Sequence, residues 1–355
     1  MTSPSLCRLR NFLIRVNTSI SSSCHQNTRK MSSVKPSVYV TRRVPLPGKE
    51  ILASECNVTQ WDQDDPVPRD ELLRQVKGKD GIFCLLTEKI DEELILAAGP
   101  QLKVVGTMSV GYDHVDLAAC KKHNIKVGFT PGVLTNAVAE LTVALLLTTS
   151  RRLKEAMAEV VNGGWGTWKP LWLCGQGLDG ATVGIVGLGR IGLTVGKCLK
   201  PFAVQKFLYS DAFENPGAAE IGAQRVPLDE LLANSDFVLA CCALTPETKE
   251  MFNKDVFKKM KKNAIFINTS RGGVVQQDDL YDALKSGEIG AAGLDVTVPE
   301  PLPTNSPLLT LNNCVILPHI ASATDKSRSS MSELTAKNIL AALNGEKMPT
   351  EVQIN

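Results

Sequence analysis

The chain has 355 residues, 43% of them hydrophobic and 21% charged, with a formal net charge of +2. That length allows about two domains of roughly 100–200 residues each, and the composition is ordinary for a globular protein. A charge so near zero gives no reason to expect nucleic acid or an anionic membrane as a partner.

The longest apolar run, AVAELTVALLL, is interrupted by Glu140 and Thr142. It falls well short of the ~20 residues that span a bilayer, so no membrane segment is expected. The 10 cysteines are scattered without a CxxC pair, two of them (Cys241 and Cys242) being adjacent, and the 4 histidines are widely spaced. Neither a disulfide framework nor a metal site is expected, and a reducing compartment is the simpler setting.

Residues 1–33 stand apart from the rest. They are rich in Ser and Arg, no acid precedes Glu50, and Leu6, Leu9, Leu13 and Val16 recur at helical spacing with Arg8 and Arg15 elsewhere on the turn. The composition suits a mitochondrial presequence in residues 1–30. The alternative is a leader or disordered stretch with Met31 as a second start, and a cytoplasmic protein from there. On either reading residues 1–33 are excluded from the fold.

From Ser37 onward the strand candidates are SVYVT, CNVTQW, GIFCLL, LKVVGTM and KVGFT, with DEELILAAG and DHVDLAACKKH between them as helices. This alternation predicts a parallel sheet covered by helices. One long helix is expected from about Leu134 to Val161, closing at Asn162-Gly163-Gly164. Its apolar stretch demands burial on more than one side, part of it at a subunit interface. The following WGTWKPLWLCG holds three of the 4 tryptophans and reads as a loop packed on something large. A second series, TVGIVG, KFLYSD, FVLACCA, AIFINTS, AAGLDV and CVILP, follows. The tail from Asp325 to about Leu343 reads as one amphipathic helix. The expected class is α/β, with two domains built on parallel sheets of Rossmann-like or flavodoxin-like type.

TVGIVGLGRIG sets Gly187, Gly189 and Gly192 in a GxGxxG pattern between a strand and a helix. That context is what gives the motif meaning: a tight turn, a close backbone approach to a pyrophosphate, and close packing of helix on strand. The helix start adds unpaired N–H groups and partial positive charge. Asp211 stands nineteen residues after Gly192 at the end of KFLYS, where a carboxylate accepts from ribose hydroxyls and repels a 2′-phosphate. No Arg or Lys lies between Asp211 and Arg225 to receive such a phosphate. NAD(H) is therefore favoured. Arg190 keeps open a route to NADP(H), and a simple turn cap keeps open a structural role for Asp211.

A dehydrogenase acting on a keto acid needs a cation for the carboxylate, a proton donor, and a partner to orient that donor. Arg271 follows AIFINTS and precedes two glycines, Glu300 lies between Pro299 and Pro301, and His319 ends CVILPH. Each alone is ordinary. Together they follow three successive strands of a nucleotide-binding domain, where open α/β sheets place their ligands.

At this point GLGRIG, NTSRGG, AAGLDVTVPEPLPTNSPLL and ILPHIASAT resemble the D-isomer-specific 2-hydroxyacid dehydrogenases, over nearly the whole chain from about residue 37. TMSVGYDHVD, NGGW, WKPLWLCG and KFLYS are similar to the members that reduce glyoxylate and hydroxypyruvate. The resemblance implies NAD(P)H-dependent reduction of these small 2-keto acids to glycolate and D-glycerate, with Arg271, Glu300 and His319 as the catalytic set. It implies that Val110 and Gly111 face the substrate carboxylate beside Arg271 and His319. Gly187, Leu188, Gly189, Arg190, Ile191, Gly192, Asp211, Ala243, Leu244, Thr269, Asp295 and Ser322 would line the cofactor. It further implies a substrate (lid) domain of residues 34–133 with 325–355, a dinucleotide-binding insert of 134–324, and a homodimer in which Trp168 narrows the partner's pocket. NADPH-using reductases of this kind replace the acid that Asp211 retains, so the cofactor preference departs from that pattern. The alternatives are a phosphoglycerate-type relative, for which CLLTEK offers only Lys89, and a dinucleotide-sensing corepressor-like binding protein.

Overall fold

The computed structural model describes residues 35–354; residues 1–34, and with them the presequence reading, lie outside the described residues. The described strands are β1 (Ser37–Val40), β2 (Asn57–Gln60), β3 (Gly81–Cys84), β4 (Val104–Thr107), β5 (Lys126–Gly128), β6 (Thr182–Val186), β7 (Lys206–Ser210), β8 (Gln224–Arg225), β9 (Phe237–Ala240), β10 (Ile265–Asn268), β11 (Ala291–Leu294) and β12 (Cys314–Ile316). They form a five-stranded sheet of order β2-β1-β3-β4-β5 and a seven-stranded sheet of order β12-β11-β10-β9-β6-β7-β8. Every named pairing is parallel. β3, β4, β9 and β10 are buried at every residue, as expected when helices cover both faces and the strands read as unbroken apolar runs. In the large sheet the chain runs outward through β7 and β8, then returns to the other side of β6 at β9. That reversal is where such sheets open a ligand crevice.

The helix Asp325–Leu343 forms with the expected bounds, capped by Thr324, whose hydroxyl accepts from the Ser327 N–H at 3.2 Å. It is not amphipathic in the simple sense. Met331, Ile339, Ser332, Thr335 and Asn338 are all buried, because the helix lies between the five-stranded sheet and the helix Leu46–Glu55. Glycines admit it to the strands: a Cβ on Gly106 would stand 2.8 Å from Ile339, and one on Gly128 would stand 2.7 Å from Asn338. The buried Asn338 is satisfied by the Phe129 carbonyl at 3.0 Å and the Thr350 N–H at 2.9 Å.

One expectation fails here. The long helix is two, Thr135–Ser150 and Leu153–Val161, broken at Arg152 with φ 53°. The Ser150 carbonyl, which a continuing helix would need, accepts instead from the Gln176 N–H at 2.9 Å. In the tryptophan loop Trp165, Trp168 and Leu171 are exposed, as are Met157 and Val161 beside them, while Trp172 is half-buried.

Candidate active site

The glycine loop begins where β6 ends. Gly187 has φ +93°, and a Cβ there would lie 2.6 Å from the backbone nitrogen of Cys242, just beyond β9. Gly192 is equally closed, with a Cβ 2.3 Å from the Gly187 carbonyl. Gly189 differs: nothing lies within 4 Å of its Cβ direction. It is the N-cap of the helix Arg190–Leu199, so the open space lies beside the start of that helix. This is a cradle of the right kind for a pyrophosphate. Leu188 is buried beneath it, Ile191 packs against the cores of both sheets, and Arg190 is exposed.

Asp211 follows β7, half-buried, its Oδ1 accepting from the Phe213 N–H at 3.3 Å. A neighbour not anticipated is Arg225. β8 pairs Arg225 with Tyr209, and its guanidinium donates to the carbonyls of Asp211 at 2.9 Å and Ala212 at 3.0 Å. A two-residue strand carries too little periodicity to be read from sequence. Asn215 donates to the Leu188 carbonyl and so ties the Asp211 segment to the glycine loop. Thr269 directs its hydroxyl to Thr142 at 2.7 Å. Leu244 covers Gly273, which a Cβ would bring to 3.1 Å, and Ala243 accepts from Thr248 through its carbonyl at 2.6 Å. Ser322 is half-buried in the turn after His319.

The three reactive candidates come together at the ends of β10, β11 and β12. His319 Nδ1 lies 2.7 Å from Glu300 Oε2, while Glu300 Oε1 accepts from the Thr297 N–H at 3.0 Å. Nδ1 is thereby committed as donor, leaving Nε2 to the cleft. Burial alone would raise the Glu300 carboxyl. The hydrogen bond and charge of His319, the Thr297 N–H and Arg271 outweigh it and hold the group below its ordinary value. His319 itself has φ 55°, a conformation costly for a side-chain-bearing residue. Asp295 maintains it: its carbonyl accepts from the His319 N–H at 2.9 Å, and its two carboxylate oxygens accept from Ile320 and Ala321 at 2.8 Å each. Burial raises the Asp295 carboxyl, against the pull of those two N–H groups.

Arg271 reaches across to the loop after β4. Its Nε donates to Asp113 at 3.0 Å and its Nη1 to the Ser270 carbonyl at 3.0 Å. Nη2 presses on Gly111, where a Cβ would lie only 2.0 Å away. Val110 beside it is half-buried. The helical spacing of residues 113–123 places Asp113 inside a helix. That helix instead starts at Leu117, because Asp116 caps it by accepting from the Ala119 N–H at 2.9 Å, and residues 113–114 are released into the site. Burial would raise the Asp113 carboxyl, but the charge and hydrogen bond of Arg271 prevail and lower it. A carboxylate depressed in the fold contributes stability above its unfolded value, near ~3.9, which is lost as pH falls through the lower folded value. The difference in stability between wild type and Asp113→Asn is therefore expected to be full at pH 6 and to shrink as pH falls below ~3.9 toward the lower folded value; a constant difference in acid titrations of unfolding would contradict this. Trp168 stands exposed on its loop. Among the described residues no group of three or more His, Cys, Asp or Glu is arranged to hold a metal.

The sequence matches the D-isomer specific 2-hydroxyacid dehydrogenase NAD binding domain over residues 143–321. It is 58% identical over 320 residues, 89% of this chain and 98% of the relative, to the glyoxylate reductase/hydroxypyruvate reductase of Homo sapiens. The chain belongs to the D-isomer-specific 2-hydroxyacid dehydrogenases. Among solved structures, the dehydrogenase superposes with TM-score 0.78 and 31% identity on an NADPH-dependent glyoxylate/hydroxypyruvate reductase from Sinorhizobium meliloti in complex with NADP and malonate, covering 90% of this chain and 97% of that one. It superposes with TM-score 0.79 and 31% identity on D-lactate dehydrogenase from Aquifex aeolicus complexed with NAD and lactic acid, covering 89% and 98%. The cofactor of this dehydrogenase is a nicotinamide dinucleotide, which the open cradle at Gly189 fits.

Proposed function

We propose that this dehydrogenase reduces hydroxypyruvate and glyoxylate to D-glycerate and glycolate, with Arg271, Glu300 and His319 carrying the chemistry. The observation that supports it best is the hydrogen-bonded Glu300–His319 pair at 2.7 Å, set on neighbouring strand ends with Arg271. The human relative named for both substrates supports the choice of substrate.

Arg271 binds the substrate carboxylate through Nη2, beside the Val110–Gly111 backbone, and draws electron density from the C2 carbonyl. When bound, the reduced nicotinamide supplies the hydride taken up at C2. His319 Nε2 delivers a proton to the C2 oxygen as negative charge develops there, and Glu300 holds the ring on line through Nδ1. Gly187, Leu188, Gly189, Arg190, Ile191 and Gly192 would hold the phosphates. Asp211 receives the adenosine ribose, and Ala243, Leu244, Thr269, Asp295 and Ser322 line the rest of the cleft.

Asp211 favours NADH, because its carboxylate and the exposed Glu214 both oppose a 2′-phosphate. Arg225 does not reverse this while its guanidinium is committed to the Asp211 and Ala212 carbonyls. Asp211→Ser is expected to lower kcat/KM for NADH about tenfold and to leave NADPH unchanged or improved; initial rates with each cofactor decide it, and a wild-type preference for NADPH would overturn the preference. The division into a lid of 34–133 with 325–355 and an insert of 134–324 is part of the same reading. So is a homodimer. The helix Leu153–Val161 has no buried residue within one chain, and its apolar face continues into Trp165, Trp168 and Leu171, a surface fit for a second copy. The mass of the native enzyme in solution checks this. Synthesised from Met31, the enzyme is assigned to the cytoplasm; a reporter fused after residue 30 tests the alternative.

A further inference from the structure

Thr107, Ser109 and His114 take no part in the chemistry above, yet they form a continuous chain of hydrogen bonds behind the substrate loop. Ser109 Oγ lies 2.6 Å from the Gly111 carbonyl, Thr107 Oγ1 lies 2.8 Å from Ser109 Oγ, and His114 Nε2 lies 3.0 Å from Thr107 Oγ1. Thr107 and Ser109 are buried.

The direction of the chain follows from counting protons. A carbonyl only accepts, so the single Ser109 proton goes to Gly111. Thr107 must then donate to Ser109, and with its own proton spent it must accept from His114. His114 is therefore the Nε2–H tautomer, and its buried Nδ1 is a lone pair without a partner. Burial drives the His114 pKa down to about 4, so the ring is neutral at working pH and the direction is fixed.

Stability does not account for such a cluster. Each neutral hydrogen bond contributes roughly 1 kcal/mol net, and an unpaired buried nitrogen costs as much or more. An apolar filling would serve the core equally well. What the chain does accomplish is local: it turns the Gly111 carbonyl inward. The opposite side of that residue is then held against Arg271 Nη2, with Asp113 two residues on holding Arg271 Nε. The far end is anchored as well, since the His114 carbonyl accepts from the Ile90 N–H at 2.9 Å.

We propose that Ser109, backed by Thr107 and His114, is a positioning residue for the substrate carboxylate, fixing the Gly111 peptide and through it the Arg271 guanidinium before substrate arrives. This rests on the reading that Arg271 and the 110–111 backbone hold that carboxylate. In Ser109→Ala the Gly111 carbonyl loses its donor and the loop its fixed direction. KM for glyoxylate and hydroxypyruvate should rise about tenfold, with kcat within about threefold and the Kd for NADH unchanged. Ser109→Thr, which keeps the hydroxyl, should restore KM to within about twofold. A folded Ser109→Ala enzyme with unchanged KM, or one that loses NADH affinity as much as keto-acid affinity, overturns the proposal. Should Ser109→Ala not fold, His114→Gln against His114→Leu carries the test. The Gln amide can still donate to Thr107, so only Leu should raise KM, and equal KM values in the two overturn the proposal. Arg271→Gln separates the two levels. If it leaves KM unchanged, the carboxylate reading fails and the proposal with it; if it raises KM while Ser109→Ala does not, only the positioning role fails.

Discussion

His319→Ala is expected to lower kcat for hydroxypyruvate by about 10²–10⁴-fold while the Kd for NADH stays at its wild-type value. Positioned proton transfer typically contributes a factor of that size, and nothing else among the described residues near C2 replaces the donor: the Glu300 carboxyl is held below its ordinary value, Asp295 has both oxygens committed to backbone N–H groups, and Arg271 is committed to Asp113 and the Ser270 carbonyl. Residual turnover in the variant measures what Arg271 and alignment supply alone. Glu300→Gln should lose less, since an amide oxygen still accepts from Nδ1. Pre-steady-state reduction beside equilibrium fluorescence titration of NADH decides the matter. A fall in NADH affinity as large as the fall in kcat would remove His319 from its role as proton donor.

The second large effect belongs to the glycine loop, where two neighbouring glycines should respond in opposite ways. Gly187→Ala places a methyl 2.6 Å from the Cys242 nitrogen at φ +93°. The atoms it meets are backbone, which cannot swing aside, so strain and overlap together should cost roughly 2–4 kcal/mol of folding stability. Gly189→Ala meets nothing within 4 Å and should leave Tm unchanged. It should nonetheless weaken dinucleotide binding by about tenfold or more, because the space it fills is where the pyrophosphate approaches. Thermal unfolding without cofactor and titration with it separate the two. Equal stability losses in both variants would mean that Gly189 is structural and that the cradle lies elsewhere.

Much of this molecule is legible in its sequence, for a physical reason. Strands covered on both faces are apolar at nearly every position, so VYV, IFC, VVG, FVLA and IFI announce themselves, and the crossovers between them leave only a parallel sheet. The glycine loop and the strand-end positions of Arg271, Glu300 and His319 follow from that frame. What escapes is settled by partners distant in sequence. The break at Arg152 depends on Gln176 claiming the Ser150 carbonyl. Arg225 reaches Asp211 only because a two-residue strand folds beside β7. Asp113 and His114 were hidden inside a pattern with good helical spacing; the available signal was Asp116, an N-cap that moves the helix start past them. The exposure of Trp165 and Trp168 has no explanation within a single chain.

The seating of the helix Asp325–Leu343 on the five-stranded sheet has a consequence for how the protein is made. Strands β1–β5 leave the ribosome well before the helix that closes one face of their sheet, which follows every strand of the seven-stranded sheet. At about 5–20 residues per second the gap is on the order of ten seconds or more. Throughout that interval Val38, Phe83 and Val104 lack Met331, Ala336 and Ile339, with which they share a core in the finished protein. The five-stranded sheet therefore receives its last covering element only after every strand of the seven-stranded sheet has been synthesised.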